Sequence, residues 1–342
     1  MRVLVTGGTG FVGAHTVAAL LEAGHDVRLL ARSPERVVPH LAPLGVPAES
    51  LKDVIPGDIT DATAVESALR GCDAVVHAAS IYSLDPREAG EIERTNVGGT
   101  QLVLETAHRL GLDPIVHVSS YVALIPAREP VVTRDSEPGE GCGPYSKSKA
   151  DSERVARELQ AQEAPVVSVM PGMVWGPHDP YHGETDRLIL EHLRGQNRVL
   201  PRNVTNPPPV DVRDVAQVIA AVMEPGRGPR RYLATAENVQ LTELYDRIAA
   251  AAGRRVRTLK VPPGMIGGTA GLWDAMQRLS PWRLPISSEM ARMAVSSAPA
   301  DASATREELG VEFRPLDESI RDTIISLVES GYLGSEAGVL AR

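Results

Sequence analysis

Three glycines spaced by three, Gly7, Gly10 and Gly13, follow an apolar segment at the start of the chain, and this spacing constrains the fold more than any other feature of the sequence. Residues 3–13 read VLVTGGTGFVG, with glycines at every third position from the seventh residue onward. Residues 15–23 carry helical periodicity, and residues 26–31 are again apolar and β-like. A strand, a glycine turn, a helix and a second strand within about thirty residues predict a βαβ unit.

This turn predicts a cradle for the pyrophosphate of a dinucleotide. Gly7 permits a tight turn after the strand, Gly10 lets the backbone approach the phosphates, and Gly13 lets the helix pack closely. The N-terminus of the helix adds unpaired N–H groups and a positive dipole end. Such glycines also occur in ordinary loops, but the βαβ context favours the cradle. The other residues of the turn expected to contribute are Thr9, Phe11 and Val12.

Strand-like and helical segments alternate along the first two-thirds of the chain. The strand-like segments are residues 27–31, 54–56, 74–78, 115–119 and 166–170. This alternation predicts an α/β fold with a doubly wound parallel sheet of the Rossmann type. Residues 231–233 offer a further strand after a helix, so we expect the chain to return to the sheet there.

The same pattern suggests two parts. Residues 1–173, with about 210–234 returning to the sheet, are predicted to form the NADP-binding Rossmann domain. About 174–209 and 235–342 are predicted to form a smaller, mostly helical substrate-binding lobe.

Composition excludes several classes of partner. The chain has 342 residues, is 43% hydrophobic and carries a formal net charge of −9, which argues against nucleic acid or an anionic membrane. Cys72 and Cys142 lack the spacing of metal ligands or of a disulfide framework, so we expect no metal. The first strand begins at Arg2, and no apolar stretch reaches the roughly 18 residues that span a bilayer. We expect a cytoplasmic protein that binds a small-molecule substrate.

The residue after the second strand distinguishes the two nicotinamide dinucleotides. In a βαβ unit it faces the adenosine ribose, where a carboxylate accepts from a 2′-hydroxyl and arginine neutralises a 2′-phosphate. This chain has Arg32 there, Arg36 one turn later, and no acidic residue at that position. Arginine offers a planar fork of donors to phosphate. We therefore expect NADP(H) to be preferred, with NAD(H) as the alternative if these arginines are only solvated surface charges.

Two further strand ends are candidate cofactor contacts. Asp58, followed by Ile59, ends the third strand and could accept from the adenine amino group. The fourth strand ends in small residues that would let a dinucleotide lie close, and they are Ala78, Ala79 and Ser80. Aspartate and serine are also common in turns and helix caps, which is the alternative for Asp58.

The candidate reacting groups lie near the middle of the chain. Tyr145 and Lys149 are four residues apart at the start of a segment rich in helix formers, so they share one helical face. A neighbouring ammonium favours the phenolate, which predicts a lowered pKa for the tyrosine. Ser119 and Ser120 end the fifth strand at the edge where ligands bind in open α/β sheets. The alternative is a surface on which the tyrosine packs and the lysine extends to solvent.

Together these residues resemble the extended branch of the short-chain dehydrogenase/reductase superfamily. Residues 6–13 are similar to its cofactor motif, 96–100 to the helix after its fourth strand, and 211–216 to a later signature. The resemblance implies that Tyr145 transfers a proton, Ser120 orients the substrate oxygen and Lys149 tunes the tyrosine and holds the ribose. Ser119 is the less favoured serine. Residues 171–177 resemble the segment beside the nicotinamide, which implicates Pro171, Gly172 and Val174. A homodimer is common in this family.

The resemblance also separates reaction classes. Dehydratases of this branch place an Asp-Glu pair where this chain has Tyr121 and Val122, and residues 121–125 also depart from the epimerase pattern. An apolar series rich in Met and Trp, between Val261 and Met293, could line a pocket for a bulky substrate or form helical core. We therefore expect hydride transfer to or from a bulky apolar ketone, aldehyde or secondary alcohol, similar to dihydroflavonol-reductase-like and 3β-hydroxysteroid-dehydrogenase-like members. The alternatives are a sugar-nucleotide epimerase and a nucleotide sensor without catalysis.

Overall fold

A computed structural model describes residues 1–262 and 288–334. Its strands are β1 (Arg2–Thr6), β2 (Asp26–Ala31), β3 (Val54–Pro56), β4 (Ala74–His77), β5 (Ile115–Val118), β6 (Val166–Pro171), β7 (Met173–Trp175), β8 (Val199–Pro201), β9 (Pro209–Asp211), β10 (Arg230–Ala234) and β11 (Leu259–Val261). Its helices are α1 (Phe11–Glu22), α2 (Val37–Leu41), α3 (Ala62–Leu69), α4 (Ala89–Ile92), α5 (Gly99–Arg109), α6 (Pro144–Gln160), α7 (Glu184–Leu193), α8 (Val212–Ala221), α9 (Leu241–Ala251), α10 (Ser288–Ser296), α11 (Ser303–Leu309) and α12 (Leu316–Glu329).

Short helical turns complete the described elements. Glu93–Gly98 forms a π-helical turn between α4 and α5. The 3₁₀ helices are Pro34–Arg36, Ala42–Leu44, Ala48–Ser50, Pro86–Glu88 and Tyr121–Leu124.

The central sheet has seven parallel strands in the order β10-β6-β5-β4-β1-β2-β3. Strand order reverses beside β1, which pairs with β2 through Thr6 and Leu30 and with β4 through Thr6 and His77. Ligands of open α/β sheets bind at this switch point, outside the carboxyl ends of the strands. The doubly wound parallel sheet predicted from the sequence is thus confirmed, and β10 returns to it beside β6.

Helices cover both faces of the sheet, which explains why its central strands are mostly apolar. On one face, Val3 and Val5 pack in a cluster with Val17 of α1 and Val218 of α8. On the other face, alternate residues of the same strands, such as Leu4, join residues of α3, α5 and α6. The sheet is therefore a rigid base on which the loops at its carboxyl edge are fixed.

A separate apolar cluster forms after the sheet. It unites residues of β7, α7, α9 and α12, with Trp175, Leu244 and Ile320 fully buried. Two short parallel pairs, β7 with β9 and β8 with β11, lie outside the main sheet. The division into a Rossmann domain and a substrate lobe stays a prediction.

The apolar Met- and Trp-bearing series lies mostly outside the described residues. Its members Pro263, Gly264, Met265, Ile266, Leu272, Trp273, Met276, Pro281 and Trp282 all fall there. Within the described part, Met293 is buried against Tyr121 and Leu124, so at this position the series is core. None of the helices in residues 1–262 and 288–334 has the length and apolarity that crossing a bilayer requires.

Candidate active site

The glycine turn after β1 is closed by direct backbone contacts. Gly7 has φ +73°, and a Cβ there would lie 2.6 Å from the backbone nitrogen of Ala79. A Cβ on Gly13 would lie 2.0 Å from the carbonyl oxygen of Gly7, and the N–H of Gly10 donates to that oxygen at 2.9 Å. Any side chain at Gly7 or Gly13 would fill the cradle or push the helix away. The turn therefore fits a dinucleotide, whose phosphates need close approach of the backbone.

The first turn of α1 offers its N–H groups to a ligand. Gly10 occupies the N-cap position without a side-chain cap, and the first turn of α1 holds no acidic residue. Phe11 and Val12 are half-buried at this turn, and the carbonyl of Thr9 lies 2.9 Å from Nδ1 of His40. An uncapped, positively polarised helix end favours an anion such as a pyrophosphate.

The adenosine end of the expected site carries opposite charges. Arg32 directly follows β2 and is exposed. Burial alone would raise the pKa of Asp58, but hydrogen bonds from Thr60 and the positive charges of Arg32 and Arg94 lower it. Oδ1 of Asp58 accepts from the backbone N–H of Thr60 at 2.9 Å and from its hydroxyl at 2.8 Å. This carboxylate oxygen thus has the turn role that the sequence allowed as the alternative to binding adenine.

Small residues after β4 lie beside the glycine turn. The N–H of Ala78 donates to the carbonyl of Thr6 at 3.1 Å, and the N–H of Ala79 lies 3.3 Å from the Thr6 hydroxyl. Ser80 is exposed at the end of this segment. After β3, Ile59 is buried against Gly99, where a Cβ would lie 2.6 Å from the isoleucine. These contacts place short side chains beside the glycine turn.

The elements that carry the three candidate reacting residues come together at the carboxyl end of β5. Tyr145 and Lys149 are 8% and 7% exposed on the first turns of α6. Nζ of Lys149 donates to the carbonyl of Val118, the last residue of β5, at 3.4 Å. Ser120 follows two residues later and caps the 3₁₀ helix 121–124, which packs against α6. Ser119 is 3% exposed, and its hydroxyl has no hydrogen-bond partner among the described residues.

Burial is the main cause of the pKa shifts of Lys149 and Tyr145. It lowers the pKa of Lys149 to about 8, against the smaller opposing effect of the Glu153 charge. It raises the pKa of the Tyr145 phenol, and the negative charge of Glu289 adds to that rise. The expectation of a lowered phenol pKa is therefore wrong, because burial disfavours the phenolate and the charge that acts on the phenol is the negative charge of Glu289.

The segment 171–175 leaves the sheet next to this centre. Pro171 ends β6, and the N–H of Gly172 donates to the carbonyl of Ala234 at 3.0 Å. A Cβ on Gly172 would lie 1.9 Å from the carbonyl oxygen of Pro208, so only glycine fits there. Val174 is half-buried in β7, paired with Val210.

Sequence reasoning missed two groups that hold the site. Oδ1 of Asn96 accepts from the N–H of Ile81 at 2.7 Å, and its Nδ2 lies 3.0 Å from the Ser148 hydroxyl. This amide ties the loop after β4 to α6. The loop also presents Tyr82, whose ring lies against that of Tyr145.

Glu289 of α10 is the other missed residue. Its carboxylate is 3% exposed and accepts hydrogen bonds from the first turn of α6. It lies 144 residues from Tyr145, and no local pattern points to it. In the described part of the chain, no group of three or more His, Cys, Asp or Glu side chains has a geometry for a metal ion.

Comparison with known proteins identifies the family of this chain. Residues 3–234 match the profile described as the NAD dependent epimerase/dehydratase family. The sterol demethylase protein B of Methylococcus capsulatus is 29% identical over 97% of this chain and 100% of its own length. A putative dihydroflavonol 4-reductase of Synechocystis is 30% identical over 97% of this chain and 96% of its own length.

Solved structures show the same fold. The crystal structure of gox2253 has a TM-score of 0.81 and 26% identity, covering 97% of this chain and 99% of its own. MoeE5, solved with UDP-glucose and NAD, has a TM-score of 0.73 and 24% identity, covering 96% and 99% of the two chains. The profile match spans more than half of the sequence, and the chain belongs to the NAD-dependent epimerase/dehydratase family, within the extended short-chain dehydrogenase/reductase group.

Proposed function

We propose that the protein is an NADP(H)-dependent oxidoreductase that interconverts a bulky, apolar ketone or aldehyde and the corresponding alcohol. One observation carries the proposal: Lys149 is held on the carbonyl of Val118, so Tyr145, Lys149 and Ser120 share the carboxyl end of β5. β5 lies next to β4 in the sheet, and the residues that follow β4 contact the glycine turn. A phenol, an ammonium and a hydroxyl beside a dinucleotide cradle fit hydride and proton transfer.

The proton chemistry belongs to residues of this chain. A bound NADPH supplies the hydride that a carbonyl carbon accepts. Ser120 would hold the carbonyl oxygen by donating a hydrogen bond, and Tyr145 would deliver the phenolic proton to that oxygen. In the reverse direction the phenolate takes the proton of the alcohol. Lys149 would stabilise the phenolate as it forms and bind the ribose hydroxyls.

The cofactor would be held along the switch point of the sheet. The turn of Gly7, Gly10 and Gly13, with Thr9, Phe11 and Val12, would bind the pyrophosphate. Arg32 would pair with the 2′-phosphate, which supports NADP(H) over NAD(H). Asp58 and Ile59 would flank the adenine. The nicotinamide half would lie against Ala78, Ala79, Ser80, Ser119, Pro171, Gly172 and Val174.

The apolar character of the substrate is supported by Tyr82. Tyr82 is 48% exposed and its ring lies edge-on against that of Tyr145, so a substrate at the phenol would meet an aromatic side chain. Two relatives carry names that refer to sterol demethylation and to dihydroflavonol reduction.

A sugar-nucleotide epimerase is the second candidate. It is favoured by two solved structures of similar fold, MoeE5 with UDP-glucose and NAD and a UDP-glucose 4-epimerase from Bifidobacterium longum with NAD+ and UDP. Residues 121–125 and the exposed Arg32 after β2 favour the reductase instead. A nucleotide sensor would keep the glycine turn without needing the buried Tyr145 and Lys149.

A substrate panel separates the candidates. NADPH absorbance is followed with aryl ketones, steroids, dihydroflavonols and short aldehydes for the wild type and Tyr145→Phe. UDP- and dTDP-sugars are incubated with the same two proteins, and their epimers are detected by chromatography, because epimerisation consumes no net NADPH. We expect turnover of bulky apolar carbonyls, loss of that turnover in Tyr145→Phe, and NADPH binding in both. Turnover of sugar nucleotides alone would establish the epimerase, and NADPH binding without any turnover would establish the sensor.

Three further parts of the proposal concern oligomeric state, location and division into domains. A homodimer is proposed, and light scattering after gel filtration would give its mass. The net charge of −9 and the two free cysteines support a cytoplasmic location without nucleic acid or membrane partners. Limited proteolysis with and without NADPH would test the division into a Rossmann domain and a substrate lobe.

A further inference from the structure

The carboxylate of Glu289 takes the place of a helix cap on α6. Oε1 accepts from the N–H of Ser146 at 2.7 Å and from its hydroxyl at 2.7 Å, while Oε2 accepts from the N–H of Tyr145 at 3.3 Å. Gly143 is the N-cap residue and has no side chain that could cap the helix. A Cβ at this position would lie 2.4 Å from Cδ of Glu289, so the glutamate occupies the space that a capping side chain would need. The unpaired N–H groups of the first turn thus depend on a residue 143 positions away in sequence from Ser146.

The same C-terminal segment also holds the element that carries Ser120. The hydroxyl of Tyr121 donates to the carbonyl of Ala298 at 2.6 Å and accepts from its N–H at 2.9 Å. Tyr121 is fully buried at the start of the 3₁₀ helix 121–124. Nε of Arg292 donates to the carbonyl of Cys142 at 2.7 Å, just before α6 begins. Residues 289–298 therefore contact both elements on which the proposed reacting groups stand.

We propose that Glu289 is a positioning residue that fixes the first turn of α6, and with it the phenol of Tyr145, against the reacting carbon. The inference rests on the proposed function, since it assigns how the proton-transferring residue is held. A buried carboxylate at a helix N-terminus is favoured by the helix dipole. Because Oε2 bonds the backbone of Tyr145 itself, its loss would displace the phenol directly.

The charged and titratable groups around this phenol come from several elements. Lys149 lies on the same helix, and Tyr82 faces the ring from the loop after β4. Beneath Lys149, the buried imidazoles of His77 and His117 stack with 6.0 Å between ring centroids, and burial lowers the pKa of both below the ordinary histidine value. These histidines are thus neutral near pH 7. Among these neighbours, Glu289 is the one whose negative charge raises the phenol pKa.

The kinetic test compares Glu289→Ala and Glu289→Gln with Glu307→Gln, a matched control at an exposed glutamate of α11. In Glu289→Ala we expect kcat for carbonyl reduction to fall about 100-fold, the order of loss seen when a reacting group is misplaced by about 1 Å. The Kd for NADPH should not change, because the glycine turn is untouched. Glu289→Gln keeps one carbonyl oxygen for Ser146 and should recover part of kcat. Glu307→Gln should behave as the wild type.

The pH profile of alcohol oxidation gives a readout that a purely structural role would not move. This direction needs the phenolate, so kcat rises with pH through the pKa of Tyr145. Removing the negative charge in Glu289→Gln should lower that pKa and shift the profile by about 1 pH unit toward acid. Because glutamine is nearly isosteric, this variant stays informative even if Glu289→Ala does not fold, which thermal unfolding would reveal.

The outcomes separate this inference from the proposed function. If Tyr145→Phe retains turnover, the proposed function fails, whatever Glu289 does. If Tyr145→Phe is inactive while Glu289→Gln keeps the wild-type kcat and pH profile, the inference alone is overturned. An equal loss of kcat in both Glu289 variants without an acid shift would also overturn it, because Glu289 would then only support the fold.

Discussion

The ring of Tyr82 lies edge-on to the ring of Tyr145, with 4.5 Å between centroids and 63° between planes. Tyr82 is held there because the backbone of the preceding residue, Ile81, is bonded twice by the Asn96 amide. One side of the Tyr82 ring therefore contacts the phenol proposed to transfer a proton, while 48% of the residue is exposed. An aromatic face beside a reacting group suits an apolar ligand.

Replacement of Tyr82 should therefore alter substrate affinity. Tyr82→Ala removes the aromatic face and should raise KM for a bulky aryl or steroid ketone about tenfold, as expected for about 1.5 kcal/mol of lost apolar burial. Tyr82→Phe should keep KM near the wild-type value. Steady-state kinetics would measure both variants, with a short aldehyde as the control substrate. An equal rise of KM for the short aldehyde would contradict an apolar contact at Tyr82.

Arg32 should set the preference between the two cofactors. Arg32→Ala removes a donor that would pair with the 2′-phosphate, and a charged hydrogen bond of about 1.5–3 kcal/mol predicts a rise of about tenfold or more in the Kd for NADPH. The Kd for NADH should not change, because NADH lacks that phosphate. Calorimetry would measure both. Arg109→Ala, at an arginine paired with Glu66 at the end of α5, is the matched control. Equal weakening of both cofactors would contradict this role.

The local parts of the site could be predicted from the sequence because short-range geometry determines them. Gly7 and Gly13 are six residues apart, and their contact follows from a turn between a strand and a helix. Tyr145 and Lys149 are one helical turn apart, so their common face needs no tertiary information. The parallel sheet could be predicted from the alternation of strands and helices along the sequence, and so could the return of β10 to that sheet.

The parts that could not be predicted depend on contacts between distant segments. Glu289 and Asn96 act on α6 through bonds that span 143 and 52 residues. No local pattern points to Glu289, and the resemblance of residues 96–100 to a family helix does not reveal what the Asn96 side chain bonds. The predicted lowering of the Tyr145 pKa was wrong for a related reason. A pair of residues on a helix face predicts a charge effect, but burial by surrounding elements decides whether desolvation outweighs it.

The contact between Gly13 and Gly7 makes a stability prediction. A Cβ at Gly13 would lie 2.0 Å from the carbonyl oxygen of Gly7, and neither the turn nor α1 can yield without breaking its packing. Gly13→Ala should therefore lower the free energy of unfolding by about 1–3 kcal/mol and abolish NADPH binding. Urea unfolding and fluorescence titration would measure these effects.

Gly90→Ala is the control for that variant. Gly90 lies in α4, where an added Cβ would meet nothing within 4 Å. In a helix, alanine is more stable than glycine, so this change should be neutral or stabilising. If Gly13→Ala were as stable as Gly90→Ala and still bound NADPH, the close contact between Gly13 and Gly7 would be needed neither for stability nor for cofactor binding.

The buried ammonium of Lys149 should lower the free energy of unfolding, although the proposed reaction needs this residue. Burial lowers its pKa to about 8 from the ordinary 10.5, so the folded protein binds fewer protons than the unfolded chain between these values. The charged form therefore destabilises the folded state by about 3 kcal/mol at about pH 7, and this penalty disappears as the pH rises above the unfolded pKa. Lys149→Met should then be more stable than the wild type near neutrality but inactive in turnover.

Chemical unfolding of both proteins across the alkaline range would check the sign of this effect. The difference in unfolding free energy should be largest below the folded pKa of about 8 and should shrink as the pH approaches 10.5. Lys147→Met, at an exposed lysine two residues away on the same helix that pairs with Asp151, is the matched control and should not gain stability. A Lys149→Met variant less stable than the wild type at neutral pH would mean that the bond from Lys149 to Val118 outweighs the desolvation of the ammonium.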